Sequence, residues 1–209
     1  MPADANIAPD FSELTFSSQD YIYKLNGKRI PAVSTILKPL SSAFYGSIDE
    51  QALKTAAMRG TSIHECIENY IKYGFEESTV ETKPYLMAFM DWWEKYDPKP
   101  IKAEYRIYHP IFRYGGTIDL VCEIDGEIIV IDFKSAVSVV EMLTRIQLEA
   151  YTKALKAHKI RADKKAILHL KPDGNYDFQP YKATDSEAWE VFGSLLTVYN
   201  YQNKYIGGK

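Results

Sequence analysis

The stretch Thr117-Ile-Asp-Leu-Val-Cys-Glu-Ile-Asp-Gly-Glu-Ile-Ile-Val-Ile-Asp-Phe-Lys134 decides the fold. Two apolar runs, Thr117 to Ile124 and Glu127 to Phe133, flank Asp125-Gly126, and Asp-Gly between such runs is the strongest short-range hairpin pattern a sequence offers. A two-residue loop pairs Ile124 with Glu127, so every opposed pair carries numbers that sum to 251. Asp119 and Asp132 obey that rule. The register therefore sets the two carboxylates opposite each other on one face, with Cβ atoms about 4.5 to 5.5 Å apart. Period-two alternation puts Lys134 on the same face, one pleat along, and turns Ile118, Leu120, Ile129, Ile131 and Phe133 to the other.

Carboxylates about 5 Å apart repel by about 3 kcal/mol at an effective dielectric of about 20. An apolar hairpin has no structural use for that repulsion. A raised pKa, a neighbouring lysine or a cation must offset it. Mg²⁺ takes oxygen ligands and is held by one or two carboxylates together with water and phosphate oxygens, and Lys134 adds a fixed charge beside such an ion. The plainer alternative is an ion pair of Lys134 with an aspartate at a strand end. The cross-strand register favours the metal.

Outward from the hairpin, the pattern predicts a three-layer mixed α/β plan, with a central mixed sheet flanked by helices. Tyr21 to Leu25 and Lys28 to Pro31 form a hairpin on Asn26-Gly27. Ser34 caps a short helix, Thr35 to Leu40. Ile48 to Met58 reads as a helix broken at Arg59-Gly60, and Thr61 or Ser62 caps the next one, to about Tyr73, with Ser62-x-x-Glu65 as a capping box. Pro84 opens an aromatic helix ending near Tyr96, and Ile101 to His109 is a strand. A long amphipathic helix, Val139 to Lys156, crosses over to strands at Ala166 to Leu170 and Tyr176 to Lys182, and Ser186 to about Tyr201 is a last helix. No repeat or linker interrupts the 209 residues, so the expectation is one domain over 1–209, with 1–20 poorly ordered or loosely packed.

Composition excludes several classes. No run reaches the roughly 18 to 20 apolar residues of a membrane helix. The first residues have neither the basic nor the apolar region of a secretory signal. Two cysteines, Cys66 and Cys122, are too few for a four-cysteine zinc or iron–sulfur site and do not make a disulfide scaffold, so a cytoplasmic location is expected. A net charge of −3 argues against a general polyanion-coating protein, while an acidic metal site still leaves nucleic acid open as substrate.

Other residues converge on the pair. His64 shares a stripe with Ile67 and Ile71, so its ring points inward, as a core residue or as a ligand. Its place in a first helical turn, near the positive end of the dipole, favours a neutral ring. Gln147 and Tyr151 lie four apart on one helix face, either holding a phosphate or base or forming a polar helix–sheet boundary. Glu104, alternating with Lys102 and Arg106, reads by itself as a solvated strand face. Sixteen tyrosines, some beside Lys or Arg, suit base stacking or ordinary packing. Arg145, Lys153, Lys156, Lys159, Arg161, Lys164 and Lys165 form either a backbone track or a solvated face.

Gly116-Thr-Ile-Asp119, Asp132-Phe-Lys134 and Gln147-Leu-Glu-Ala-Tyr151, preceded by Arg59-Gly-Thr-Ser-Ile-His64, resemble the RecB-like branch of the PD-(D/E)xK nucleases. Pro31-Ala-Val-Ser-Thr-Ile-Leu37 is similar to the N-terminal motif of single-domain relatives, including phage nucleases and a mitochondrial exonuclease. The resemblance spans roughly residues 20 to 155 and implies a restriction-endonuclease-like fold. It implies Asp119, Asp132 and Lys134 as catalytic, with His64, Asp119, Asp132 and the Phe133 carbonyl as ligands of Mg²⁺ or Mn²⁺, one ion or two. It also implies Gln147, Tyr151, Arg59 and Ser135 as nucleic-acid-binding or positioning residues, and Glu104 and Glu65 with less weight. The iron–sulfur cysteines of some members are absent, so no cluster is expected. The function implied is a metal-dependent exonuclease hydrolysing DNA, on single strands or duplex ends, in a bacterial or phage-infected cell, with any unwinding supplied by a helicase or recombination partner. The competing class is a catalytically silent module that binds nucleic acid or a partner, against which the intact Asp119, Asp132 and Lys134 weigh.

Overall fold

The computed structural model describes residues 14–205. A small antiparallel sheet comes first, β1 (Leu14–Ser17), β2 (Ile22–Leu25) and β3 (Lys28–Ile30), followed by α1 (Val33–Tyr45), α2 (Glu50–Tyr73) and α3 (Lys83–Tyr96). The main sheet contains β4 (Lys99–Tyr108), β5 (Gly115–Ile124), β6 (Glu127–Lys134), β7 (Lys164–Leu170) and β8 (Tyr176–Lys182), in that spatial order. α4 (Glu141–Ala157) is the crossover between β6 and β7, the one parallel pair of this otherwise antiparallel sheet, and α5 (Ser186–Tyr205) follows β8.

The layers follow the apolar stripes. Ile63 and Ile67 of α2 and Tyr85, Phe89 and Trp92 of α3 pack on one face of the sheet against Leu120, Ile131 and Leu168. Val33 and Ile36 of α1, Leu148 and Leu155 of α4 and Phe192 of α5 pack on the other, against Ile118, Val121 and Val130. This is the expected three-layer mixed α/β plan. Both short hairpins form on two-residue loops with positive φ throughout, 50° and 73° at Asn26-Gly27 and 52° and 81° at Asp125-Gly126, as a type I′ turn requires.

Two local expectations are corrected. Arg59-Gly60 does not break a helix: α2 is continuous, capped by the Asp49 carboxylate on the Ala52 amide and ended by Gly74 at φ 69°. The surrounding Ala56, Ala57, Met58 and Arg59 are good helix formers, which outweighs the penalty of about 1 kcal/mol for one interior glycine. Thr61 spends its hydroxyl on the Ala57 carbonyl one turn back, so neither its cap nor the Ser62–Glu65 box forms. Ser34 does not cap α1 either; the helix starts two residues earlier, at Val33 after Ala32, and runs through Pro39 to Tyr45. Leu14–Ser17 is a strand paired with β2, and residues 1–13 of the segment expected to be loose lie outside the described residues.

Candidate active site

The β5–β6 register runs as the Asp-Gly turn dictates, from Ile124↔Glu127 to Leu120↔Ile131, and stops one pair short of the aspartates. Where the next rungs would form, Asp119 Oδ2 accepts from the Phe133 amide at 2.6 Å. The same lapse occurs on the other side of β5. Pairing with β4 includes Ala103↔Leu120 and Tyr105↔Ile118 but omits Glu104 opposite Asp119, and Glu104 stands at φ 46°. Alternation breaks there as well, since Ile118 packs toward α4 and Leu120 toward α3. Asp119 thus turns to α2, whereas Asp132 and Lys134 face α4. The single shared face expected from the alternation is corrected: the aspartates flank one strand end from two sides.

On the α2 side three donors converge. His64 Nδ1 lies 3.4 Å from Glu104 Oε1 and 3.5 Å from Asp119 Oδ1, and the ligand atoms of the three residues all fall within 4.8 Å of one another. The His64 ring also packs edge-on against Phe133, at 5.8 Å between centroids. Burial holds the Asp119 carboxyl up at about 7; His64 pulls it down, Asp132 and Glu104 push it up, and Lys134 opposes them. Burial works against a charged His64 ring, but the carboxylates of Asp119, Glu104 and Asp132 prevail and raise it to about 9. That is opposite to the expected direction. His64 is mid-helix in the continuous α2, so the dipole at a helix start does not act on it.

On the α4 side a chain of hydrogen bonds fixes Asp132. The Gln147 amide nitrogen donates to Asp132 Oδ1 at 2.8 Å and to the Tyr151 hydroxyl at 3.1 Å, while its oxygen accepts from Lys134 Nζ at 3.2 Å. Lys134 Nζ lies 2.6 Å from Asp132 Oδ2, and this attraction, set against burial, raises the lysine pKa. Asp132 Oδ2 is buried, with the Lys134 ammonium as its counter-ion. Tyr151 is 5% exposed, with its ring pressed against the backbone at Gly116. A side chain on Gly116 would place its Cβ 2.4 Å from Tyr151 Cε1, which accounts for the glycine at the head of Gly116-Thr-Ile-Asp119.

The remaining candidates lie further out. Arg59 approaches Glu81 at 3.9 Å, and its Nε is buried without a partner. Ser135 is half-buried beneath Gly60 of α2, and Glu65 is exposed and outside the three-donor cluster. The phosphate-track reading of the basic stretch is corrected in part. Lys165 is fully buried against Glu149, Lys153 also reaches Glu149, and Arg145 and Lys164 pair with Asp185 and Glu127. Tyr21, read from sequence only as part of a hairpin, belongs near the site. Burial raises its hydroxyl pKa, a bond with Tyr23 opposes the rise, and the charges of Asp119, Glu104 and Asp132 add to it.

A family model described as the PD-(D/E)XK nuclease superfamily matches residues 41–194, and the chain belongs to that superfamily. Its fold is restriction-endonuclease-like, and nucleases of this group use divalent cations. No curated protein is matched. Among solved structures, SSO0001 is 18% identical, with 83% of this chain and 80% of that chain covered and a TM-score of 0.43. LHK-Exo in complex with dAMP is 11% identical, covering 84% and 88%, at a TM-score of 0.40. The alkaline exonuclease LHK-Exo from Laribacter hongkongensis is 12% identical, covering 68% and 77%, at 0.36.

The residues fit a divalent ion. Two carboxylates and an imidazole offer lone pairs to one point, and burial keeps the Asp119 carboxyl there from ionising at its ordinary pKa. Imidazole among the donors suits Mn²⁺ better than Mg²⁺. Among the described residues, no helix is long and apolar enough to cross a membrane.

Proposed function

We propose that the chain is a Mg²⁺- or Mn²⁺-dependent exonuclease that hydrolyses DNA phosphodiester bonds on single strands or at duplex ends. The observation that carries the catalytic reading is the convergence of His64, Glu104 and Asp119 beside the Asp132–Lys134 pair. His64, Glu104, Asp119, Asp132 and the Phe133 carbonyl would hold the ion. Such an ion would supply acidification of a water and charge to offset that of the phosphate. Asp119 and Asp132 bring the negative charge that draws the cation to the strand end. Lys134, anchored on Asp132 and Gln147, presents an ammonium to the charge that builds on the phosphate oxygens. Gln147 and Tyr151 keep Asp132 and Lys134 in place from beneath. The exonuclease assignment rests on the resemblance to single-domain exonucleases in the Pro31–Leu37 stretch and the four motifs. The free thiols Cys66 and Cys122 suit a reducing, cytoplasmic setting.

The test is a gel of 5′- and 3′-labelled single- and double-stranded DNA with Mg²⁺, Mn²⁺ or EDTA. Stepwise shortening from an end with metal, lost in EDTA and in Asp119→Asn, is expected. Undiminished metal-dependent cleavage by Asp119→Asn would refute the catalytic assignment, and an intact strand under every condition would favour the silent binding module.

A further inference from the structure

Beside the three-donor cluster, a groove of about 610 Å³ runs between the small N-terminal sheet and β4. Phe16, Tyr21, Lys102, Glu104, Tyr105 and Arg106 line it, so Glu104 belongs to both the groove and the cluster. The groove opens directly onto the acidic centre.

Its walls carry a repeated pairing of cation and ring. Arg106 lies 4.9 Å over Phe16, and Lys102 lies 5.5 Å over Tyr105. Both cations are exposed, and neither has a carboxylate partner among the described residues. The Phe16 and Tyr21 rings meet edge-on at 5.2 Å. Tyr21 is 55% exposed and held at φ 53°, in the left-handed region that L-residues seldom occupy. A glycine or asparagine closes such a turn with less strain. The tyrosine leaves more than half of a large ring in water at the mouth of an acidic site, resting edge-on against Phe16 and Tyr23.

We infer that this groove is a subsite for unpaired nucleic acid, in which a base stacks on Tyr21 while Lys102 and Arg106 meet the phosphates on either side. The inference rests on the nuclease reading for the identity of the ligand. A duplex hides its base faces within the stack, so the exposed Tyr21 ring beside two cations fits a single strand better than a helix. Because Glu104 is common to the groove and the cluster, a phosphate leaving the stack arrives beside the acidic centre. Lys72, also on the groove wall, is tied to Glu68 and adds little.

The experiment measures binding of a fluorescein-labelled oligothymidylate to the full chain in EDTA, where no cleavage occurs. Tyr21→Ala and Arg106→Gln should each weaken binding about tenfold, and Tyr21→Phe, which keeps the ring, should bind as the parent does. Crosslinking of a 5-iodouracil oligonucleotide to the unaltered protein, mapped by mass spectrometry, should mark Tyr21 or Phe16 and needs no variant to fold. Unchanged affinity in both Tyr21→Ala and Arg106→Gln, or crosslinks confined to other surfaces, overturns the groove. The readings fail separately. Cleavage by the parent with no groove effect removes the groove alone; groove effects without metal-dependent cleavage support the groove and remove the catalytic reading.

Discussion

Gly116→Ala should damage both stability and catalysis, through Tyr151. The added methyl would stand 2.4 Å from Tyr151 Cε1, 3.2 Å from Cδ1 and 3.3 Å from Cζ. Carbon atoms rest at about 3.5 to 4.0 Å, so the ring must retreat by about 1 Å or more. It has little room, being 5% exposed and packed in the core under α4. Overpacking of this kind costs about 1 to 3 kcal/mol. For a chain of this length that is a fall in melting temperature of about 2 to 12 °C. The same retreat takes the phenol off the Gln147 amide, now at 3.1 Å, and leaves Gln147 held only by Asp132 and Lys134. A displacement near 1 Å around reacting groups costs on the order of 10²-fold in rate. Calorimetric melting of the metal-free protein and cleavage of end-labelled DNA at equal folded fraction measure the two effects. In a Tyr151→Leu background the glycine substitution should become nearly neutral. If Gly116→Ala melts within about one degree of the parent and cleaves at the same rate, the close approach does not explain the glycine.

Three further outcomes follow from the same geometry. Asp119 at about 7 and His64 at about 9 both hold protons more tightly folded than unfolded, where 3.8 and 6.5 apply. The stability from Asp119 is therefore full below about pH 4 and lost by about 7, and that from His64 is full below about 6.5 and lost by about 9. The melting temperature in EDTA should fall over this span, with His64→Gln flattening its upper part, while Mn²⁺ affinity rises as the ion displaces those protons; a pH-independent Mn²⁺ isotherm would contradict the assignment. Lys134→Ala should lower turnover by about 10² to 10³-fold with metal affinity nearly intact, and full rescue by excess Mn²⁺ would make the lysine structural. Lys165→Ala leaves Glu149 buried beside Lys153 at 3.4 Å and should cost about 3 to 5 kcal/mol in chemical denaturation, with DNA affinity unchanged at equal folded fraction. Weaker DNA binding without lost stability would restore the phosphate track.

What could be read in advance was whatever a local rule governs. Asp125-Gly126 admits one hairpin loop, and that loop fixes the register down to Leu120↔Ile131. The four-residue spacing of Gln147 and Tyr151 survives unchanged as a hydrogen bond. Alternation failed at Asp119 because two ladders lapse there together, and no residue in Ala103-Glu-Tyr105 or Ile118-Asp-Leu120 announces it. Glu104 was accordingly legible only through the resemblance, since a strict period places it on a solvated face. Gly60 misled for the opposite reason: a breaker by propensity, it is overridden by twenty-three other helical residues in α2 and by Ile63 and Ile67 in the core. The basic stretch was undecidable from sequence, because Asp185 and Glu127, which pair with Arg145 and Lys164, come from distant elements, and the fold alone brings Lys165 onto Glu149 of α4.

The distortion at Glu104 is where fold and site meet. A glutamate at φ 46° inside a strand costs on the order of 1 to 3 kcal/mol, and the lost rungs at Asp119 cost more besides. A regular ladder would recover both, but it would turn Asp119 toward α4 with Asp132 and leave His64 without a carboxylate. The strain is what divides the acid groups between the two layers. Three ligating groups face α2, while Asp132 approaches from the α4 side with Lys134 and Gln147. Removing the charges at Glu104 and Asp119 together, as Gln and Asn, deletes the reason for the distortion but not its backbone, so the double variant tests whether the strand relaxes. Relaxation would appear as a higher melting temperature in EDTA, paired with loss of metal binding. A double variant that melts below the parent in EDTA would mean that the carboxylates themselves hold the bend in place.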